Sequence, residues 1–586
     1  MRFLVDPVFK GVCCPLSHGR EQWDGVEQGA LNTSSLPHCS HQHGHLNKGH
    51  PPQIYVSIEV NIIAISLSYK NNMTRTDVLI VGAGPTGLVM ALWLTRQGVN
   101  VRIIDKSEVK ASTSRAMAIH ARTLELYGQL DLADEVVANG HKIAATNVWA
   151  GGVHRARIPF GDMGAGLTPY PFIHIYPQDR HERLLEARLN AMGVHVERNR
   201  ELIESQEQES YITARLRDTT KPETDPEGEE TCEASFIVGC DGAHSAVRQT
   251  CEIGFEGATY SQLFYVADVE GSGSGLNGQA HLSLNGAQFF LLMAYDKDRH
   301  ARLNGAVDQS SLTKDISDLT LEDVAPDCGK AVGIHIDKVN WFSTYHVHHR
   351  VAESFRCGRA FLVGDAAHIH SPVGGQGMNT GIGDAINLSW KLAAVLQGQA
   401  NMSLLDSYEV ERRAFAVLLV NTTDAAFNAI ASGGYLSSFI RTLFIPYVAP
   451  ILARFNLVRQ RVFRGVSQIM LNYRDSMLST GLTGIVQGGD RVPWAPVGDL
   501  DNFESLKEIT WQVHVYGDVK DELEEWCQSK KVPLHVFPWH EKYQSVGLGK
   551  DAAYLIRPDS YVAVAESSGL PDRYNQYLND NSVRLG

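Results

Sequence analysis

Four short apolar runs, at 78–81, at 101–104, in the residues leading into Gly239 and at 360–363, lack polar alternation and fit strands covered on both faces. Stretches of helical period separate them. One spans 86–97. A second starts beside Gln178, with Leu184, Leu185, Ala187 and Leu189 forming a core-facing stripe, and a long third begins near Gly377. Strand and helix in alternation predict an α/β fold. From 251 to 356 the texture changes. YSQLFYVADVEG, QAHLSLNGAQFFLLMAY and VNWFSTYHVHHR alternate apolar and polar residues between turn-formers, which predicts an antiparallel sheet able to wall a pocket. The acidic segment 218–233, with two prolines, predicts a hairpin or surface loop. Beyond GDRVPWAPV at 489–497, ITWQVHVYGD, VPLHVFPWH and AAYLIRPDSYVAVA read as strands between helical segments such as 518–528.

Composition narrows the class. A chain of 586 residues is long for one core and suggests two to four domains. Its 44% hydrophobic and 20% charged residues are those of a soluble globular protein, and a formal charge of −14 argues against a nucleic-acid partner. No run of 18 or more uncharged apolar residues occurs, so no membrane span is expected. Nine cysteines without a C-x-x-C pair read as reduced thiols of a cytoplasmic protein. Residues 1–72 are expected to be an extension with little fixed structure. Their tract HCSHQHGHLNKGH lacks an ordered ligand spacing, so no metal site is expected, and no signal-peptide core is evident. Met73 stands where a nucleotide-binding chain normally begins, which leaves a start-site artefact as an alternative.

The candidate chemistry sits where apolar runs end. Gly82, Gly84 and Gly87 have the G-x-G-x-x-G spacing between strand and helix, and Asp105 closes the second strand, placed to accept from a ribose hydroxyl. Helix N–H groups after such a turn favour phosphate. Arg115 and Arg122 follow in a loop and helix start, where guanidinium groups could reach phosphates or a flavin edge. FIVGCDGAHSAVR forms a second strand–turn–helix unit, with Asp241 and Gly242 in the turn and Ser245 as helix cap. In GDAAHIHSPVGGQGMN, Asp365 can bond a polyol chain, and the helix N-terminus near Gly377 can stabilise a developing negative charge.

These three elements, in this order, resemble the fingerprints of the class A FAD-dependent aromatic hydroxylases, the p-hydroxybenzoate hydroxylase-like superfamily, over about residues 75–570. The third motif is most similar to the phenol hydroxylase and aromatic polyketide hydroxylase branch, and Ser-Arg-Ala at 114–116 with Arg122 favours the polyketide type. Related phenol hydroxylases carry a pocket aspartate where this chain has Met117, a departure that argues against a carboxylate base at that place.

The resemblance implies a Rossmann-type FAD-binding domain (73–250 and 356–480), an inserted antiparallel-sheet substrate domain (251–355 with parts of 145–175) and a thioredoxin-like C-terminal domain (481–586) used for packing or dimerisation. It implies tightly bound FAD, with Gly82, Gly84, Gly87 and Asp105 on the ADP half and Arg122 and Gln178 at the pyrophosphate and ribityl region. Asp241 and Gly242 would lie where flavin and nicotinamide approach, Asp365 on the ribityl chain, and Gly377, Met378 and Asn379 at the flavin N1–C2=O edge. The Pro372 carbonyl would accept from a substrate phenol, with His368 and Arg115 the candidates for further catalytic groups. The implied activity is hydroxylation of a phenolic or polyketide-like aromatic by O2 through a flavin C4a-hydroperoxide, with NADPH or NADH docking transiently. Same-fold epoxidation or Baeyer–Villiger oxygenation is an alternative, as is a non-catalytic binder on this scaffold.

Overall fold

The computed structural model describes residues 73–585 apart from 110–115, 162, 286–287, 296–298, 310–311, 313 and 432–434. The expectations for 1–72 and for Arg115 lie outside the described residues.

The chain begins with β1 (Met73–Val81), α1 (Pro85–Arg96) and β2 (Val101–Asp105). Pro85 starts α1, where its missing N–H costs nothing. Every residue from Gly87 to Leu94 is buried, because this part of α1 packs on the sheet and against two further helices. Next come α2 (Ala121–Gly128), the hairpin β3 (Ala145–Ala150) and β4 (Val153–Pro159), and α3 (Gln178–Ala191). Then β5 (Val196–Arg198), β6 (Arg200–Glu207), β7 (Ile212–Asp218) and β8 (Glu229–Gly239) lead into α4 (Ala246–Thr250). The segment predicted as a hairpin or loop is a hairpin, since β7 pairs antiparallel with β8.

The long strands β9 (Phe255–Gly273), β10 (Ala280–Asn285), β11 (Gln288–Ala294), β12 (His300–Asp308) and β13 (Ile334–Ala352) follow. The chain returns through β14 (Arg356–Cys357), β15 (Ala360–Leu362) and β16 (His368–Ile369) to α5 (Gly377–Leu396) and α6 (Asp406–Ala431).

One eight-stranded sheet runs β14-β15-β8-β1-β2-β5, with β7 and β6 attached beside β8. β1, β2, β8 and β15 are parallel, and Val81 pairs with both Ile104 and Gly239, while Gly239 pairs with Leu362. Their carboxyl ends therefore finish level, so the turns after β1, β8 and β15 emerge along one edge, the usual ligand side of an open α/β sheet. The second eight-stranded sheet runs β16-β13-β9-β12-β11-β10-β3-β4. It is antiparallel as expected except where β10 and β3 pair in parallel. The reason is that β3 and β4 arrive as a finished hairpin from outside the 251–356 segment, so the direction of β3 is not set by a turn from β10.

After α6 come α7 (Tyr435–Phe439), a π-helical stretch (Ile440–Val448), α8 (Ala449–Leu452) and α9 (Asn456–Val466). Among the described residues Tyr435–Leu452 is a helix long and apolar enough to cross a membrane by length and composition, with mean hydropathy 1.3. Arg441 inside it hid the segment from a search for uncharged runs. The C-terminal part has β17 (Thr480–Thr483), β18 (Val486–Gln487), β19 (Gln512–Tyr516), α10 (Asp521–Lys530), β20 (Leu534–Phe537), β21 (Ala552–Ile556), β22 (Val562–Glu566) and α11 (Asp572–Asp580). Its six-stranded sheet, ordered β18-β17-β22-β21-β19-β20, packs on α5, with Trp390 edge-on to Trp511 at 5.6 Å. The fully buried Glu411 of α6 pairs there with Lys391 at 2.9 Å and Arg557 at 2.7 Å. Three charges close together make this contact costly to open once one partner is removed.

Candidate functional site

The three glycines of the first turn differ in what surrounds them. Gly82 has φ +102°, and a Cβ there would lie 2.4 Å from the Cys240 carbonyl oxygen. A Cβ on Gly87 would lie 1.9 Å from the Gly82 oxygen, so helix and turn can touch only through glycine. Gly84 faces open space, with nothing within 4 Å of a Cβ position, at the N-cap of α1 where first-turn N–H groups have no intrahelical acceptor. Asp105 accepts from Ala83 N and Ser107 N, each at 2.8 Å, one on each oxygen. Each oxygen retains a lone pair for a hydroxyl donor.

The second turn carries an incompletely satisfied carboxylate. Asp241 Oδ2 accepts from Ala246 N at 2.7 Å and Val247 N at 3.3 Å, whereas Oδ1 is buried without a hydrogen-bond partner. Burial raises the pKa of this group above the usual carboxylate value. Gly242 takes φ +75° and ends the turn. Arg248 ties this motif to the third, donating to the Ala366 carbonyl at 2.9 Å and to Ala243 at 2.8 Å. Asp365, between buried Gly364 and Ala366, is exposed. Gly364 has φ +64°, and Cβ atoms on Gly364 and Gly381 would come 2.9 and 2.5 Å from Thr86 Oγ1, so this turn is pressed onto the start of α1.

The loop from Pro372 to Gln376 is held from below. Asn379 Oδ1 accepts from His120 N and Thr123 Oγ1, both at 2.8 Å, and its Nδ2 donates to Ala118 O and Gly375 O, both at 2.9 Å. The Asn379 side chain is thus a brace, and what it can offer a ligand is backbone, like Gly377 and Met378. His120 Nε2 meets Gly374 O at 3.1 Å, and burial lowers its pKa to about 4. The Pro372 carbonyl accepts from Gly375 N at 3.1 Å, which leaves one lone pair of the two. Gln178 begins α3, contacting Glu182 at 2.8 Å and exchanging backbone and side-chain bonds with Ala116.

Two expected site residues are engaged elsewhere. Arg122 is buried and committed to Glu125 at 3.1 Å and to Asp559 O and Ser560 Oγ at 2.9 Å, with Tyr561 beneath its guanidinium. It lines a cavity of about 20 Å³ with Thr123, Asn379 and Tyr473, room for no more than a water. The expectation of a pyrophosphate contact is corrected accordingly: the guanidinium clamps the C-terminal segment to α2. His368 is likewise enclosed. Its Nε2 lies 2.7 Å from Asp384 Oδ2, while Asp384 Oδ1 accepts from Arg412 at 2.5 Å and Arg412 donates to Tyr473 at 2.9 Å. All these side chains are buried. The Arg412 guanidinium and the hydrogen bond to the His368 ring hold the Asp384 pKa below the usual carboxylate value despite burial. A base so enclosed positions the turn rather than meeting a substrate.

The sequence reading missed the polar group on the sheet side. Tyr260 of β9 donates to Asp424 of α6 in a short hydrogen bond, and His349 of β13 lies 3.3 Å from the other Asp424 oxygen, edge-on to the Tyr260 ring at 4.9 Å. Burial and the carboxylate raise the phenol's pKa. Phe264 and Phe427 complete an aromatic cluster around it. The buried Ser371 hydroxyl, next to Pro372, approaches Tyr260 without completing a hydrogen bond. No spacing rule links residues 260, 349 and 424, which meet only because β9 pairs with β13 and α6 packs beside them.

Known proteins with similar sequences and folds bear on this arrangement. Residues 75–423 match the family described as "FAD binding domain". The chain is 34% identical over 407 residues to 6-methylpretetramide 4-monooxygenase of Streptomyces rimosus, covering 69% of this chain and 71% of that protein. It is 30% identical to a flavin-dependent monooxygenase of Mycobacteroides abscessus over 84% of this chain and 97% of the relative. Among solved structures, OxyS anhydrotetracycline hydroxylase from Streptomyces rimosus superposes with a TM-score of 0.69 at 26% identity, covering 88% of this chain and all of the other.

Proposed function

This chain belongs to the FAD-dependent aromatic monooxygenases, and from that premise we propose that it hydroxylates a phenolic or polyketide-like aromatic with O2, drawing electrons from NADPH or NADH. The residues at the three turns fit FAD. The open face at Gly84, the Asp105 carboxylate with lone pairs to spare and the exposed Asp365 offer what a dinucleotide's pyrophosphate, ribose and ribityl groups need. The single observation that carries the reading is that β1, β8 and β15 end level, which delivers all three motifs to one edge.

When bound, FAD supplies the electron transfer and O2 activation that side chains cannot. The protein does the rest. Gly84 and the α1 N-terminus would hold pyrophosphate, Asp105 the adenosine ribose, Gln178 and Asp365 the ribityl region, and the N–H groups of Gly377, Met378 and Asn379 the flavin's carbonyl edge. Asp241 and Gly242 would face the nicotinamide, which docks transiently because only one complete dinucleotide fingerprint is present. The remaining lone pair of Pro372 O would accept from the substrate phenol. Tyr260, Asp424 and His349 would move the phenol proton away, while Phe264 and Phe427 exclude water. Arg115 remains a candidate for the flavin edge, and His368 acts as a positioning residue through Asp384. The C-terminal domain, thioredoxin-like in its run of strands and helices but without C-x-x-C, serves packing and is the candidate dimer surface.

The test is to purify the full chain and score a panel of phenols and aromatic polyketides for stimulated NADPH and NADH oxidation, with product masses. The expected result is a yellow protein whose oxidation rate rises with a subset of the panel, each product gaining one oxygen. Colourless protein that takes up no FAD would instead favour a binder on this scaffold.

A further inference from the structure

Between Asp424 and Asp475 the chain carries six arginines and no lysine or acid, within a protein of formal charge −14. This is also the stretch that α7, the π-helical segment, α8 and α9 occupy, and most of its large apolar side chains face outward. Its buried side holds Ser437, Arg441 and Pro446, with Phe463 the one buried aromatic of α9, whereas Tyr435 is 99%, Leu436 72% and Leu457 84% exposed, with Phe439, Ile451 and Phe455 also outward. A surface helix of a water-soluble domain has the opposite arrangement. Exposed Arg454, Arg461 and Arg464 stand beside these side chains and form no ion pair among the described residues.

We propose that this face docks on an anionic lipid bilayer, lying in the headgroup layer with its apolar side chains inserted and its arginines on the lipid phosphates. Apolar and cationic groups side by side match the two layers of a membrane surface, and tyrosine and phenylalanine at the boundary suit its interface. The segment does not span, because its inner side packs on β3 and β4 and holds Arg441. A second copy of the chain fits less well, since a two-fold contact through this face sets arginine against arginine. An acidic protein would pair the arginines but leave the aliphatic side chains wet. Val466, the last residue of α9, accepts from Gln376 at 3.0 Å, and Gln468 donates to Gln376 at 2.6 Å. The docking face therefore adjoins the loop carrying Pro372 and Gly377. The inference rests on the surface alone and stands apart from the oxygenase reading.

The test is flotation of the purified full chain with vesicles of phosphatidylcholine alone and of phosphatidylcholine with phosphatidylserine, at low and high salt. The expected result is binding to the anionic vesicles only, weakened by salt. Each arginine near the surface is worth about a fivefold factor, so the triple variant Arg454→Gln, Arg461→Gln, Arg464→Gln binds about a hundredfold more weakly. Leu436→Ser with Leu457→Ser removes binding at unchanged charge, and unaltered melting of both variants confirms that they fold. Failure of the wild type to float, or equal flotation with neutral vesicles in high salt, overturns the proposal. So does a dimer in sedimentation that Leu436→Ser with Leu457→Ser dissociates while vesicle binding is absent.

Discussion

The two sides of the site are built from different materials. Along the sheet edge that ends at Val81, Gly239 and Leu362, the surface offered to a ligand is mostly backbone, made accessible by glycine, and side chains such as Asn379, Arg248 and Asp384 hold that backbone in place. Across from it, on β9, β13 and α6, the chemistry belongs to side chains, Tyr260, Asp424 and His349, set in an aromatic cluster. At its packing glycines, Gly82 and Gly87, the backbone-built side tolerates almost no added volume, because a Cβ meets fixed atoms. A side-chain-built side can lose a functional group and keep its fold.

The largest expected effect breaks the first side. Gly87→Val sets a Cβ on the Gly82 oxygen and should cost about 4 kcal/mol or more, yielding protein that binds no FAD and melts early. Gly84→Ala sharpens the contrast. With nothing within 4 Å, its stability should stay within about 1 kcal/mol of wild type while FAD affinity falls. A Gly84 variant as unstable as the Gly87 one would end the distinction between packing glycine and ligand-facing glycine.

Next in size is Asp384→Ala, which leaves Arg412 and His368 buried without their shared carboxylate and should cost about 3–5 kcal/mol in urea unfolding. Conservation of stability in that variant would return His368 to the list of free bases.

Acid should weaken the loop side and the antiparallel sheet together. Burial lowers the pKa of His120, His281 and His370 to about 4, against an unfolded value near 6.5. The unfolded chain binds more protons between those values, so the stability from keeping these rings neutral is complete above pH 6.5 and is lost as pH falls towards 4. At pH 5 the loss is about 2 kcal/mol per ring. Melting at pH 7 and 5 should show the drop, and His120→Gln should remove its share of it.

Smallest in stability is Tyr260→Phe, expected to change unfolding by about 1 kcal/mol or less while lowering kcat by about a hundredfold with a phenol substrate. Unchanged turnover would remove the proton path from the sheet side.

The difference in material also explains what was legible. Gly82, Gly84, Gly87, Asp105 and the helix at Gly377 follow from spacing, because a backbone turn of fixed shape needs glycine at fixed offsets. Arg122 and His368 were misread, since sequence shows a charged or titratable residue near a motif but not the partner, Glu125 with Ser560 or Asp384, that claims it. Tyr260, His349 and Asp424 left no signal, being 89 residues apart on paired strands in one case and brought in by a helix in the other. The apolar stretch around Arg441 escaped because one buried arginine interrupts it.

The central claim, that three glycine turns converge to make a flavin-bearing oxygenase, is tested most directly by turnover of a responsive phenol under isotopically labelled O2. The account predicts one labelled oxygen in each product molecule, formed by FAD-loaded full-length chain. Product carrying oxygen from water, or NADPH consumed by the FAD-loaded chain with no oxygenated product from any responsive aromatic, would contradict it.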